Sequence, residues 1–162
     1  MIKERIDALR RNMAEWGWDV AVTVGEDPHN SEYTPKRWCQ REFISGFTGS
    51  AGVVVVSKDH AGLWTDSRYW IQATRELEGS GIELHKMVSV EDKDWIEWIA
   101  QIVSAGGKVG IDGLCMSMGE AMRLESAVAA KGASVVSKAD YLEALWPDRP
   151  LLPQGEVWLH ED

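Results

Sequence analysis

A glycine-rich turn feeding two consecutive apolar segments is the feature that most limits what this chain can become. The turn reads Gly46-Phe47-Thr48-Gly49-Ser50-Ala51-Gly52. Residues 53–56 (VVVV) and 61–65 (AGLWT) follow it, parted by Ser57, Lys58, Asp59 and His60. Apolar, largely β-branched runs of this length, separated by a short polar break, read as a β-hairpin. Polar groups then gather where the second strand ends (Thr65, Asp66, Ser67, Arg68), and a helical pattern runs on to Leu77. Strand ends are where α/β proteins commonly place binding groups, so Asp66 and Arg68 are the first candidates. Capping of the helix by Asp66 or Ser67 is enough to explain an acid at this spot. Arg68 gains nothing from the helix dipole, which favours anions there. It needs another reason: either a fixed carboxylate such as Asp66, or contact with a substrate carboxylate or a neighbouring domain.

The turn itself invites a phosphate-loop reading and fails its tests. No Lys follows Gly52, as a Walker loop requires. A strand-like valine run follows, where the dinucleotide fingerprint needs a helix. A nucleophile elbow needs Gly two before the Ser, and Thr48 stands there. The glycines are read as permitting a tight backbone and close packing.

Ile2, Ile6, Leu9, Met13 and Trp16 recur at three- and four-residue steps, which predicts an amphipathic helix ended by Gly17. Residues 19–24 (DVAVTV) read as a buried strand. Residues 26–35 form a polar loop in which Asp27, His29 and Glu32 lie close together, but a lone loop His is more often a surface or hydrogen-bonding group than a metal ligand. A short helix is expected over 36–45, strands over 82–88, 108–112 and 133–137, and helices over 92–103 and 117–131. Ser117 with Glu120 forms a capping box for the last of these. His85 is placed on the polar face of its strand, and Met116, Met118 and Met122 are read as core filler. Residues 140–146 suit a final helical turn or two. The alternation of helices and strands gives an α/β class, with a mixed sheet flanked by helices on both faces.

Composition narrows the partners. The chain has 162 residues and a net charge of −9, which disfavours a nucleic-acid backbone. No apolar run is long enough to span a bilayer, and the charged N-terminal stretch has no signal-peptide core. Cys39 and Cys115 are far apart and read as reduced and buried, which suits a cytoplasmic setting. Nine tryptophans are many for this length, so some surfaces are expected to meet another domain or subunit.

Several blocks carry a family resemblance. GFTGSAG followed by LWTDSRYWIQA resembles the N-terminal domain of aminopeptidase P, in the creatinase/prolidase superfamily. The segment from Asp27 to Tyr33 (DPHNSEY) and the late WPDRP at residues 146–150 resemble further blocks of that domain, in the family's order. Ser67 departs from the family's usual Gly. The resemblance implies a creatinase N-terminal fold with a ribonuclease H-like motif over residues 1–146. Residues 147–162 would then be a linker or the start of a following domain absent from this chain. It implies a non-catalytic domain of an Xaa-Pro aminopeptidase, which removes the N-terminal residue when proline is second. This domain would shape active-site access and support contacts with its own C-terminal catalytic domain and within a homo-oligomer. The family's two divalent metals, usually manganese, belong to that catalytic domain. No catalytic residue, cofactor site or metal ligand is assigned to this chain. Arg68 would project toward the catalytic pocket, with Asp66 beside it, and His29 and Tyr33 would face the domain boundary.

Two other classes compete. A free-standing binding module could use the Gly46–Gly52 turn and Arg68 to hold a small anion or a peptide carboxylate. A hydrolase could use Ser50 or Cys39 with His29 or His60, although no nucleophile–base signature supports it.

Overall fold

The computed structural model describes residues 1–89, 92 and 94–160. The predicted amphipathic helix forms as α1 (Ile2–Trp16), and its stripe buries Ile6, Leu9 and Met13. Gly17 ends it at φ +68°, a left-handed conformation that costs glycine no steric strain, and the Trp18 N–H reaches back to the Met13 carbonyl at 2.8 Å. The chain then enters β1 (Val20–Thr23), all four residues of which are buried.

After a loop, a 3-10 turn (Lys36–Trp38) and a short helix, α2 (Gln40–Ser45), lead into the glycine-rich turn. The hairpin follows as β2 (Val53–Ser57) and β3 (Ala61–Thr65). Next come α3 (Trp70–Glu76), β4 (Glu83–Lys86), α4 (Asp94–Ile102), β5 (Lys108–Ile111), α5 (Met118–Val128) and β6 (Ser134–Ser137). The strands form one six-stranded sheet in the order β4-β3-β2-β1-β5-β6. β2 runs antiparallel to β1 and β3, while β4, β5 and β6 pair parallel with their neighbours, so the sheet is mixed.

Alternation along the strands separates two cores. Ala21, Val54, Val56 and Leu63 face α1, α2 and α3 on one side. Val20, Val22, Val55, Trp64, Val109 and Ile111 face α4 and α5 on the other. Helices therefore cover both faces, as expected. The topology also sorts the loops. The ends of β1, β3, β4, β5 and β6 and the start of β2 all fall at one end of the sheet, the exit edge, and the hairpin tip falls at the other.

Several local expectations are corrected. The helix expected over 36–45 is broken at Cys39, and Cys39 is half-buried, although Cys115 is buried. The helix after Arg68 starts at Trp70 with no side-chain cap, so neither Asp66 nor Ser67 caps it. Met118 and Met122 are exposed and only Met116 joins the core. α5 buries Leu124 and Val128, and at about 100° per residue Met122 points away from Leu124. The expected strand over 82–88 is confined to β4, and His85 is half-buried against Trp64 instead of facing solvent. For the helix expected over 92–103, Lys93 lies outside the described residues. Of the tryptophans, Trp18, Trp64 and Trp95 are buried, and Trp158 is exposed.

The segment after β6 is pinned from within. Phe43 of α2 stacks on Trp146 with ring centroids 4.3 Å apart. Arg149 is 9% exposed; its guanidinium donates to the Arg37 carbonyl at 2.9 Å and pairs with Asp140 and Glu143. From residue 151 to 160 the chain is exposed, without helix or strand.

Candidate functional site at the exit edge

The glycine-rich turn is built around a cation. Arg41 of α2 is 7% exposed, and its guanidinium donates to the carbonyls of Gly49, Ser50 and Gly52, the last at 3.2 Å. The Phe47 ring lies 5.4 Å from it. Gly25, just past β1, gives the guanidinium room, since a Cβ there would collide with it. Burial pulls the Arg41 pKa down, with the Glu26 carboxylate acting against it. The turn thus aims carbonyls inward at a positive charge, the reverse polarity of a phosphate loop, which aims N–H groups at an anion. Sequence reasoning missed Arg41. Its signal was a lone arginine one turn before a run of glycines, and its partners were not adjacent.

The turn is tied to α3 as well. The Thr48 N–H and hydroxyl donate to Glu76 at 2.9 and 2.7 Å, and Ser50 and Tyr69 hydroxyls lie 2.6 Å apart. Thr65 Oγ1 donates to the Ala51 carbonyl at 2.6 Å.

Asp66 and Arg68 are brought together. The Asp66 carboxylate is buried and accepts from the Arg68 backbone N–H at 3.1 Å, from Nε at 2.8 Å and from Nη2 at 3.0 Å. The forked ion pair holds the Asp66 carboxyl below its usual range and raises the Arg68 guanidinium. Asp66 is therefore the fixed partner that Arg68 needed. The Arg68 side chain is nonetheless 59% exposed, so it can still present its outer face to an anion.

His29 and Tyr33 lie in the loop after β1 and are both exposed. Among the described residues no hydrogen bond or ion pair joins them to Arg68. Asp27, by contrast, is buried. Burial raises its carboxyl, but hydrogen bonds from the Ser31 and His29 N–H groups outweigh that and pull its pKa down. It shapes the loop and does not form a metal cluster with His29 and Glu32. Among the described residues, the group of three with metal-ligand spacing is His60, Glu83 and His85, at the opposite end of the sheet. Its sequence signal was Glu83-Leu84-His85, two ligand types on one face of a strand.

Further along the edge, Gln40 donates to Asp112 at 3.1 Å, and the Cys115 thiol sits 3.8 Å from the same carboxylate. Burial, then Asp112, push this thiol up to about 12, which makes it a poor nucleophile. Apolar side chains rim the same edge: Tyr33, Ile71 and Val88 are 84%, 73% and 81% exposed.

Fold and site together define an α/β domain of the mixed-sheet class, whose charged and exposed apolar groups collect along one edge. The model of the Creatinase/Prolidase N-terminal domain matches residues 5–145. The chain belongs to that family. It is 36% identical over 166 residues to aminopeptidase P2 of Arabidopsis thaliana, covering 99% of this chain and 23% of that protein. It is 38% identical over 161 residues to a probable Xaa-Pro aminopeptidase P of Neosartorya fischeri, covering 98% and 24%. Among solved structures it superimposes on an X-prolyl aminopeptidase from Caenorhabditis elegans, described as a cytosolic enzyme with a di-nuclear active site. There the TM-score is 0.83 and the identity 28%, over 94% of this chain and 26% of that one. The chain thus spans about a quarter of the length of the curated relatives it matches.

Proposed function

We propose that this chain acts as the non-catalytic N-terminal domain of an Xaa-Pro aminopeptidase, a metallopeptidase that removes the residue before proline. Its exit edge would face a C-terminal catalytic domain and shape access to the active site. The observation that carries this reading is the exit edge itself, where the exposed guanidinium of Arg68 shares one end of the sheet with the exposed side chains of Tyr33, Ile71 and Val88. Apolar groups beside a fixed charge are what a domain interface uses, with the charge setting register. Asp66 holds Arg68 in place, so the cation costs little further ordering when a peptide carboxylate or a partner domain arrives. His29 sits in the same loop as Tyr33 and belongs to the same proposed contact surface. The two divalent ions, manganese by the family's habit, and the homo-oligomer belong to this proposal, as does a cytoplasmic location. The C. elegans relative, described as cytosolic and di-nuclear, supports the two-metal centre and the location. No helix of the described residues is long and apolar enough to cross a membrane.

The test is hydrolysis of an Xaa-Pro peptide with manganese, by this chain alone and by a protein extended to the length of its relatives. The expected result is cleavage by the longer protein alone. In that protein, Arg68→Ala leaves the buried Asp66 carboxylate with its backbone N–H partner alone, so it should lower the melting temperature modestly, and it should lower kcat/KM at an assay temperature where the variant remains fully folded. Cleavage by the short chain, in proportion to its concentration, would overturn the division of labour.

A further inference from the structure

At the end of the sheet opposite Arg68, three side chains from two elements converge. His60 closes the β2–β3 hairpin. Glu83 and His85 stand two apart on β4, and so on one face. The β3–β4 register sets Gly62 opposite Glu83 and Trp64 opposite His85. His60 Nε2 lies 3.0 Å from His85 Nε2, and a Glu83 carboxylate oxygen lies 3.7 Å from His60 Nδ1. One donor atom from each of the three lies within 4.8 Å of the other two.

The surroundings hold the two rings rather than leave them mobile. Trp64 stacks on His85, with centroids 3.9 Å apart and planes 8° from parallel. Trp98 of α4 lies 4.9 Å from His60. Gly62 matters here because a Cβ would press on both the His85 and Trp64 rings. Both imidazoles are half-buried, and burial pulls their pKa values down, with Glu83 acting the other way. A neutral imidazole offers one unprotonated ring nitrogen to a metal ion.

We propose that His60, His85 and Glu83 form a site for a divalent transition-metal ion of the zinc or nickel type. Two imidazoles and a carboxylate are a donor set that selects such ions over magnesium or calcium. Two imidazole nitrogens bound tetrahedrally to zinc at about 2.0–2.1 Å stand about 3.3 Å apart, close to the separation already present. In the metal-free protein one proton is shared between the facing Nε2 atoms. The ion takes its place, and the ring that held the proton moves it to Nδ1. Glu83 is 66% exposed, so its carboxylate can turn onto the ion at little cost, and solvent supplies the remaining position. The site does not rest on the proposed peptidase role, since none of its residues lies on the exit edge.

Calorimetric titration of the chain with zinc, and with magnesium as a control, tests this directly. One zinc ion per chain is expected, with no magnesium binding. His85→Ala and His60→Gln should each weaken zinc by about tenfold or more, and Glu83→Gln by less. The Gln variant at position 60 keeps a hydrogen-bonding side chain of similar reach, which alanine would remove. The proton resonances of the four histidines give an independent readout. With nickel, those of His60 and His85 should broaden, while those of His29 and His160 stay sharp. Absence of zinc binding to the wild-type chain would overturn the proposal and leave a structural histidine pair. So would zinc binding that survives both histidine substitutions, or nickel broadening centred on His29 or His160.

Discussion

The Tyr141 hydroxyl and Thr23 Oγ1 lie 2.5 Å apart in the interior, and the same hydroxyl donates to the Val22 carbonyl at 3.0 Å. A phenol has one proton, so Thr23 must be the donor in the shorter contact. This pair fastens the segment after β6 to the central strand. Tyr141→Phe leaves the Val22 carbonyl and the Thr23 hydroxyl buried without that partner. It should cost about 1–3 kcal/mol. Urea unfolding, read as a lower midpoint with an unchanged slope, checks the value.

Arg41 should matter more to the fold than its place in a six-residue helix suggests. Arg41→Met removes the cation that three carbonyls of the glycine-rich turn converge on. A loss of about 2–4 kcal/mol is expected. Arg41→Lys should recover little of it, because one ammonium cannot reproduce the planar fork. Amide hydrogen exchange at residues 48–52 should quicken in both variants.

Acid should weaken the exit edge. The Asp66 and Asp27 carboxyls have folded pKa values below the ordinary 3.8. Their contribution is complete above that value and is lost as pH falls through the lower folded values. Asp66→Asn should be less stable than wild type at neutral pH and should show a shallower loss of stability on acidification. Equilibrium unfolding at a series of pH values measures both. An unchanged acid slope would mean that the Arg68 pair contributes nothing to the pH dependence.

The Cys115 thiol, pushed up to about 12 by burial, should resist a disulfide reagent until the chain unfolds. Native protein treated with such a reagent should label at half-buried Cys39 and leave Cys115 for the denatured state. Peptide mapping distinguishes the two.

Much of the architecture could be read from residue order. The α1 stripe and the valine-rich hairpin are periodic signals carried by neighbours in sequence, and both elements form where expected. The pairing of Arg68 with Asp66 was also among the readings the sequence offered. What it could not decide was the form of that pairing. A helix cap and the observed turn both have a carboxylate accepting from an N–H two residues on, so the same acid fits either. The remaining misses share one cause, which is partners distant in the chain. Arg41 is buried because Gly25 and the turn close over it. His85 is half-buried because Trp98, from a later helix, covers that edge of the sheet. Met118 and Met122 fit a helical stripe, but α5 turns Leu124 and Val128 inward instead.

The anchoring of residues 146–150 has a mechanical consequence. Arg149 holds the Arg37 carbonyl, Arg37 Nη1 donates to the Pro150 carbonyl at 3.1 Å, and Trp146 lies against Phe43. All three anchors fall on the short stretch that also carries Arg41 into the glycine-rich turn. Whatever follows Pro150 therefore sets out from a fixed berth, and a pull on it loads the scaffold of that turn before it reaches the sheet. Tension on the tail and the shape of the exit edge are joined by a linkage a few side chains long.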